Sequence, residues 1–165
     1  MEARRFTKEQ LETLAYRLMK TGGLRDEDAK TIAEDLVLAD MRGMASHGVS
    51  RIPMYLKRID EKCVTPQPDI KVEQTAAAVL KVNGDDGMGF LVTHRAIEEG
   101  IKLADQTGVA VVGCTHSTHF GMGAVYLKQA IAKGYICFVF TNSSPAIAAW
   151  GGRTAFLGAA PFAAA

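Results

Sequence analysis

The sequence predicts an α/β protein in which a helical unit precedes a mixed layer of helices and strands. Apolar residues recur at helical spacing through roughly the first 62 residues, and a proline-rich break follows at Pro66-Gln-Pro68. After the break, short β-rich runs alternate with helical patterns, which is typical of α/β folds whose strands are covered on both faces. We therefore expect a helical unit over residues 1–65 and the start of an α/β domain over residues 66–165.

The helical unit contains three predicted helices. Thr7-Lys-Glu-Gln10 has the form of a capping box, and Gly22-Gly23 marks the end of the first helix. Asp26 is expected to cap the second helix. The third is expected over about residues 49–62, with Pro53 in its first turn, where proline is tolerated.

The α/β part contains alternating elements, bounded by glycine-containing turns. They are, in chain order, strands at 70–73 and 78–83, a helix at 91–106, a buried strand at 109–113, a helix at 123–133 and a buried strand at 135–141.

Composition excludes several classes of protein. The 165 residues are 48% apolar and carry a net charge of +1 without a basic stripe, which argues against nucleic-acid binding. No apolar run reaches the roughly 18 residues of a membrane span, and the first residues lack the apolar stretch of a signal peptide. Cys63, Cys114 and Cys137 share no C-x-x-C spacing, as expected for free thiols in a reducing compartment. We expect a cytoplasmic protein.

The segment from Ser46 to Arg51 is the first candidate site. If the chain turns helical after Gly48, His47 and Arg51 lie one turn apart on the same face. Histidine exchanges protons near neutral pH, and arginine binds carboxylates or phosphates through two parallel hydrogen bonds. The spacing suggests proton transfer on a bound anion, although a helix cap beside two surface side chains would give the same pattern.

The second candidate site lies between a predicted strand and a predicted helix, around Gly121-Met-Gly123. Free amides of small residues at a helix N-terminus bind phosphate groups. Tyr126 stands where a third glycine would complete a dinucleotide fingerprint, so a classical Rossmann site is not supported. A tight turn that needs glycine for its backbone is the alternative.

A metal site is the third possibility, with Cys114, His116 and His119 as ligands. The spacing is short, a second cluster is missing and no carboxylate is close in sequence. We expect no metal, and metal binding stays an alternative function that elemental analysis would test.

Longer motifs go beyond this local spacing. In chain order they are Ala39-Asp-Met-Arg-Gly43, Ser46-His-Gly-Val-Ser-Arg51, Tyr55, Gly108-Val-Ala-Val-Val-Gly113, Ser117-Thr-His-Phe-Gly121, Tyr126, Ala132-Lys-Gly-Tyr-Ile136, Thr141-Asn-Ser143, Trp150-Gly-Gly152, Leu157-Gly158 and Pro161. Together they resemble the malate/L-lactate dehydrogenase family of NAD(P)-dependent oxidoreductases. This family includes ureidoglycolate dehydrogenase, sulfolactate dehydrogenase and diketogulonate reductase, and it is distinct from the Rossmann-fold lactate and malate dehydrogenases.

The resemblance implies a homodimer with a helical domain and a nucleotide-binding domain of the sulfolactate-dehydrogenase-like, non-Rossmann type. It also implies NAD or NADP as cofactor and a small 2-hydroxy or 2-oxo acid as substrate. By the same resemblance, Ser46 and His47 form a proton-relay pair, Arg51 binds the substrate carboxylate, and Ser143 lies where some members contact substrate.

The resemblance also assigns a cofactor-contacting loop. Its residues are His119, Phe120, Gly121, Met122 and Gly123. In ureidoglycolate dehydrogenase-like members, the histidine at the place of His119 is the one assigned to proton transfer. The sequence leaves open which histidine acts here.

Two departures from the family pattern matter. The family's L-G-T-N-P appears as Leu157-Gly-Ala-Ala-Pro161, which removes polar side chains expected at the substrate. Family members are about twice as long, so the acidic residue that completes the relay is expected beyond Ala165. We expect this chain alone to be inactive, and the alternative function is a non-catalytic α/β module that dimerises or binds nucleotide.

Overall fold

A computed structural model describes residues 5–165 as helices followed by mixed α/β structure, as predicted. The helices are α1 (Lys8–Thr21), α2 (Asp26–Met41), α3 (Ile52–Asp60), α4 (Gly89–Thr107) and α5 (Ala124–Ile131), and 3-10 turns at Ala45–His47 and Val49–Arg51 connect α2 to α3. The strands are β1 (Lys71–Ala76), β2 (Val79–Gly87), β3 (Val111–Ser117), β4 (Phe138–Phe140), β5 (Ile147–Ala148), β6 (Ala155–Leu157) and β7 (Phe162–Ala164). None of the described helices is long and apolar enough to cross a membrane.

The starts of the first two helices differ in their capping. The predicted capping box of α1 is confirmed, because Thr7 and Gln10 each accept the other's backbone N–H through a side-chain oxygen. The prediction that Asp26 caps α2 was wrong, since Arg25 is the N-cap and makes no side-chain cap. Asp26 is instead the first helical residue, and its carboxylate pairs with Lys20 at 2.6 Å.

The third helix is shorter than predicted. A 3-10 turn occupies Val49–Arg51, and α3 begins only at Ile52, with Pro53 in its first turn. It ends at Asp60, and Lys62 has the left-handed φ of 58°. The late start has a local cause, because the Val49 N–H bonds to a side chain from α2.

One hydrophobic core joins the first three helices to the start of α4. Its largest fully buried members include Met19, Ile32, Leu36, Tyr55 and Phe90. Side chains from both sides of residue 65 therefore share this core. The division into units at 1–65 and 66–165 stays a prediction.

The central sheet has the strand order β1-β2-β3, with β1 antiparallel and β3 parallel to β2. Helix α4 packs on one face of this sheet, where Val82 and Val112 contact Val92 and Ala96. The helix ends at Gly108, whose φ of 77° is readily adopted by glycine.

The prediction that strands are covered on both faces was wrong for the described residues. Side chains alternate between the faces of a strand, so Val112 faces α4 while Val111 stays 61% exposed. The strand predicted at 135–141 is the short β4, in which Phe138 and Phe140 are exposed and only Val139 is buried. Each run is apolar in sequence, but only one of its faces meets a helix.

Candidate active site

The segment of residues 44–51, here called the Ser46 turn, carries the first candidate residues. It consists of two 3-10 turns closed by local hydrogen bonds. The His47 N–H donates to the Met44 carbonyl at 2.8 Å, and the Ser50 hydroxyl donates to the Ala45 carbonyl at 2.8 Å. These bonds fix the backbone on both sides of His47.

Asp40 holds the second half of this turn from the end of α2. Its Oδ2 accepts the N–H of Val49 at 2.8 Å, which satisfies a donor at the start of a helical turn. A Cβ on Gly48 would overlap the Asp40 carboxylate, so glycine is needed here for a close approach. Sequence reasoning matched Asp40 to a family motif but assigned it no role.

Arg51 does not lie one helical turn from His47 on a common α-helical face, because the chain between them forms separate 3-10 turns. Its side chain instead folds back, and Nε donates to the Ser46 carbonyl at 2.6 Å. Nη1 lies 3.7 Å from the Met54 sulfur. The guanidinium is therefore oriented by the backbone of the residue that precedes His47.

The side chains of Ser46 and His47 are within hydrogen-bond distance of each other. Ser46 Oγ lies 2.9 Å from His47 Nδ1, and the imidazole is half-buried. Burial, followed by the positive charge of Arg51, lowers the pKa of His47 below its usual value. A histidine in this setting is mostly neutral at neutral pH, which suits a proton acceptor.

The segment of residues 118–123, here called the His119 loop, brings the second histidine to the first. The rings of His47 and His119 stack with centroids 5.7 Å apart. His119 Nδ1 lies 2.9 Å from the hydroxyl of Tyr55 and 3.3 Å from the backbone nitrogen of Gly121. Burial is the largest cause that lowers the pKa of His119 to about 4, with His47 and Arg51 adding to it.

A buried tyrosine anchors the same loop from α5. The Tyr126 hydroxyl donates to the Phe120 carbonyl, and the two rings stack 5.6 Å apart. The edge of His94 packs against Tyr126 at 4.9 Å, and His94 Nε2 bonds to the buried Asp35 carboxylate at 2.7 Å. Helices α2, α4 and α5 thus fix the loop together.

The backbone after the loop fits an anionic ligand. Within residues 5–165, the N–H groups of Met122, Gly123 and Ala124 meet no acceptor, as is usual at the start of a helix. Gly123 leaves little lateral space, since a Cβ there would lie 3.3 Å from that of Ala163. This donor set is of the kind that binds a phosphate group.

Comparison with known proteins shows the family of this chain. The family model described as malate/L-lactate dehydrogenase matches residues 6–165. The chain belongs to the malate/L-lactate dehydrogenase family.

Individual relatives have related names. The chain is 37% identical over 146 residues to L-sulfolactate dehydrogenase of Methanocaldococcus jannaschii, covering 88% of this chain and 42% of that protein. It is 33% identical to ureidoglycolate dehydrogenase (NAD(+)) of Escherichia coli K12, covering 96% of this chain and 46% of that protein. The structure of malate dehydrogenase from Pyrococcus horikoshii superposes with a TM-score of 0.92 at 35% identity, over 98% of this chain and 46% of that one.

These comparisons confirm the predicted family and fold class. The match to solved structures of malate and sulfolactate dehydrogenases confirms the mixed α/β architecture of that type. The chain spans less than half the length of the relatives it matches.

The resemblance to the family also suggested Ser143. This residue is not hydrogen-bonded to His47 or His119 in the described part of the chain. Its Oγ accepts the N–H of Ala160 at 3.3 Å, and its carbonyl lies against Gly158.

The three residues considered as metal ligands are not assembled as a site. In the described part of the chain, no group of three or more His, Cys, Asp or Glu side chains is placed to hold a metal ion. Cys114 and His116 lie on β3, while His119 is engaged by Tyr55.

The contact between Tyr55 and His119 is the feature of the site that sequence reasoning missed. Tyr55 appeared only as one matching residue of the family, without a role, yet its hydroxyl reaches a histidine 64 positions later in the chain. No local pattern signals such a pair, because the contact depends on how α3 packs against the loop after β3.

Proposed function

We propose that this chain is part of an NAD(P)-dependent oxidoreductase that interconverts small 2-hydroxy and 2-oxo acids. The observation that carries the proposal is the stacked pair of His47 and His119 beside the guanidinium of Arg51. The relatives named as malate, sulfolactate and ureidoglycolate dehydrogenases support the hydroxy-acid class of substrate.

Proton transfer is assigned to His47. In the reduction, hydride transfer to the carbonyl carbon of the 2-oxo acid would be the chemistry that a bound NAD(P)H supplies. As the carbonyl π bond breaks, its electron pair moves to oxygen, and the protonated form of His47 gives this oxygen its proton and becomes neutral. In the reverse direction neutral His47 removes the hydroxyl proton. Positioned proton transfer of this kind contributes roughly 10²–10⁴-fold to the rate.

Substrate orientation is assigned to Arg51. The Nε hydrogen bond to the Ser46 carbonyl fixes the plane of the guanidinium, and the remaining N–H groups of the two Nη atoms, one of which contacts the Met54 sulfur, meet no oxygen acceptor among the described residues. A carboxylate can bind there with two parallel hydrogen bonds. Because the same Ser46 also contacts His47, a substrate bound through its carboxylate is placed close to the acid.

Cofactor binding is assigned to the His119 loop, with residues His119, Phe120, Gly121, Met122 and Gly123. The N–H groups at the start of α5 would face a negatively charged part of NAD or NADP. The contribution of Ser143 to substrate binding and the homodimer rest on the resemblance alone. A cytoplasmic location rests on composition.

A second candidate is a non-catalytic α/β module that dimerises or binds nucleotide. The observation that favours it is alanine at 159 and 160, where the resemblance implies polar side chains at the substrate.

Oxidation of NADH and NADPH, followed by absorbance against a panel of 2-oxo acids, tests the proposal. We would assay this chain and any longer form of the same gene product. Activity in the longer form alone supports the dehydrogenase and shows that further residues are essential. Activity in neither form, with no dinucleotide binding by calorimetry, overturns the proposal. Dinucleotide binding without turnover in either form supports the non-catalytic module.

A further inference from the structure

The hydrogen bonds of His119 determine which of its nitrogens carries a proton. Gly121 directs its backbone N–H at Nδ1 from 3.3 Å, and a backbone N–H can only donate. Nδ1 is therefore an acceptor, and the neutral ring carries its proton on Nε2. The Tyr55 hydroxyl, 2.9 Å from the same Nδ1, must then donate as well.

Both donors are held in place by one aromatic ring. Phe90 is buried and packs edge-on against Tyr55, with centroids 5.7 Å apart and an interplanar angle of 89°. The same ring fills the space beside Gly121, where a Cβ would lie 2.5 Å from Phe90 Cε1, and Gly121 has a φ of 69°. Neither donor can move away from Nδ1 without disturbing this packing.

The charges around His119 keep it neutral. The groups that face it are Tyr55 and Arg58 from α3 and His47 and Arg51 from the Ser46 turn. Burial first, and then charge repulsion from His47, Arg51 and Arg58, lowers the pKa of His119 to about 4. Burial raises the pKa of Tyr55 to about 12, so its hydroxyl remains a donor throughout the physiological range.

His47 has a different kind of partner. Its Nδ1 faces the Ser46 hydroxyl, which rotates and can either donate or accept. His47 can thus gain or lose a proton without losing this hydrogen bond. Among the described residues no hydrogen bond reaches the Nε2 of either histidine, so both Nε2 atoms are left for a ligand.

We propose that Tyr55 is a positioning residue that holds His119 as the neutral Nε2–H tautomer, so that His119 donates a hydrogen bond to the substrate oxygen and leaves proton transfer to His47. The inference rests on the proposed function for the identity of that oxygen. A fixed neutral donor stabilises the negative charge that develops on oxygen as hydride reaches the carbonyl carbon. The proton that completes the alcohol then comes from His47.

Imidazole ¹⁵N NMR on this chain tests the tautomer without any need for activity. The sequence has four histidines, so His→Gln variants can assign each ring. We expect His119 to show the Nε2–H tautomer from about pH 5.5 to pH 8.5. An Nδ1–H tautomer of His119, or a titration midpoint of His119 near the usual histidine value, would overturn the proposal.

A Tyr55→Phe variant tests the role of the hydroxyl. Loss of one hydrogen-bond donor to Nδ1 should give a mixture of the two tautomers of His119. It should also raise the titration midpoint of His119 by about one pH unit. Tyr135→Phe is the matched control, because that hydroxyl bonds an exposed carboxylate on Asp105. An unchanged His119 spectrum in Tyr55→Phe rejects the positioning role, and the wild-type spectrum decides the tautomer if this variant does not fold.

Kinetics on a form that shows activity test the division of roles. His119→Gln keeps an N–H donor near the Nε2 position, so we expect kcat within about tenfold of wild type and an unchanged pH profile, whereas His119→Ala should lose about 10²–10³ in kcat. If His119 transfers the proton, kcat should fall as far in the Gln variant as in the Ala variant. The part of the kcat–pH profile that reports the titration of His119 should also disappear. An inactive wild type would count against the proposed function and leave the NMR result standing.

Discussion

The two segments that carry the candidate histidines are built in opposite ways. The backbone of the Ser46 turn is held by local hydrogen bonds, the longest being the bond from Val49 to Asp40 across nine residues. The His119 loop is held by residues distant in sequence, including Tyr55 at a separation of 64 residues. His47 has the Ser46 hydroxyl as its partner, which can form a hydrogen bond with either protonation state of the ring. His119 instead has two donors, the Tyr55 hydroxyl and the Gly121 N–H, directed at its Nδ1.

This difference suggests how the site divides its work. A group that transfers protons needs a hydrogen-bond partner that changes with it, and Ser46 provides one. A group that only stabilises charge benefits from a rigid setting, which Tyr55 and Phe90 provide. Each of the following changes weakens one segment and leaves the other intact.

The largest expected effect is that of His47→Ala on activity. In a form that shows activity we expect kcat to fall by at least about a hundredfold, because the proton donor is removed. His116→Ala is the matched control, since His116 is exposed on β3. Steady-state kinetics measures both, and a loss below about fivefold in His47→Ala would reassign proton transfer to His119.

The second-largest effect is expected for Gly48→Ala, which should destabilise the Ser46 turn. The added Cβ would displace the Asp40 carboxylate and break its bond to the Val49 N–H. We expect a loss of about 0.5–2 kcal/mol in the free energy of unfolding, the range for removal of a helix cap.

Gly113→Ala is the control for this substitution, because no atom lies within 4 Å of a Cβ placed at Gly113. Urea denaturation of both variants gives the comparison. Equal stability in the two would show that the approach of Asp40 to Gly48 contributes nothing to the turn.

Tyr126→Phe should loosen the His119 loop by a smaller amount. The variant leaves the Phe120 carbonyl without its donor while keeping the stacked rings, which should cost about 1 kcal/mol of stability. Where activity is present, KM for the cofactor should rise more than kcat falls. Tyr135→Phe, which loses only an exposed bond, should change neither quantity, and a similar effect in both variants would contradict the anchoring role.

The smallest effect is on stability in acid. The pKa of His119 is about 4 in the folded protein and about 6.5 in the unfolded chain, so only the unfolded chain takes up the proton between these values. The free energy of unfolding should therefore fall as the pH decreases from about 6.5 to 4, with the effect reduced by partial solvent exposure. Denaturation at several pH values should show a shallower decline for His119→Gln, and identical slopes would contradict this assignment.

Local sequence signals predicted the helices well. The capping box at Thr7 and the end of the first helix at Gly22 are both confirmed, because capping involves residues three or four positions apart. The same logic failed at Asp26, where the competing ion pair with Lys20 comes from the preceding helix. It failed again at residues 49–51, where Asp40 caps a 3-10 turn that helical periodicity cannot distinguish from an α-helix.

Motifs and periodicity were enough to predict the family, the order of helices and strands as far as β4, and the residue types of the candidate site, but the short strands β5, β6 and β7 were not predicted. The predicted features follow from motifs and short-range periodicity, which lie in consecutive residues. The packing of distant elements was needed to show that Tyr55 contacts His119, that the two imidazoles stack, and that Val111 and Phe140 lie on exposed faces. Such contacts depend on how distant elements pack, and a residue's type does not specify which side chain will meet it across the fold.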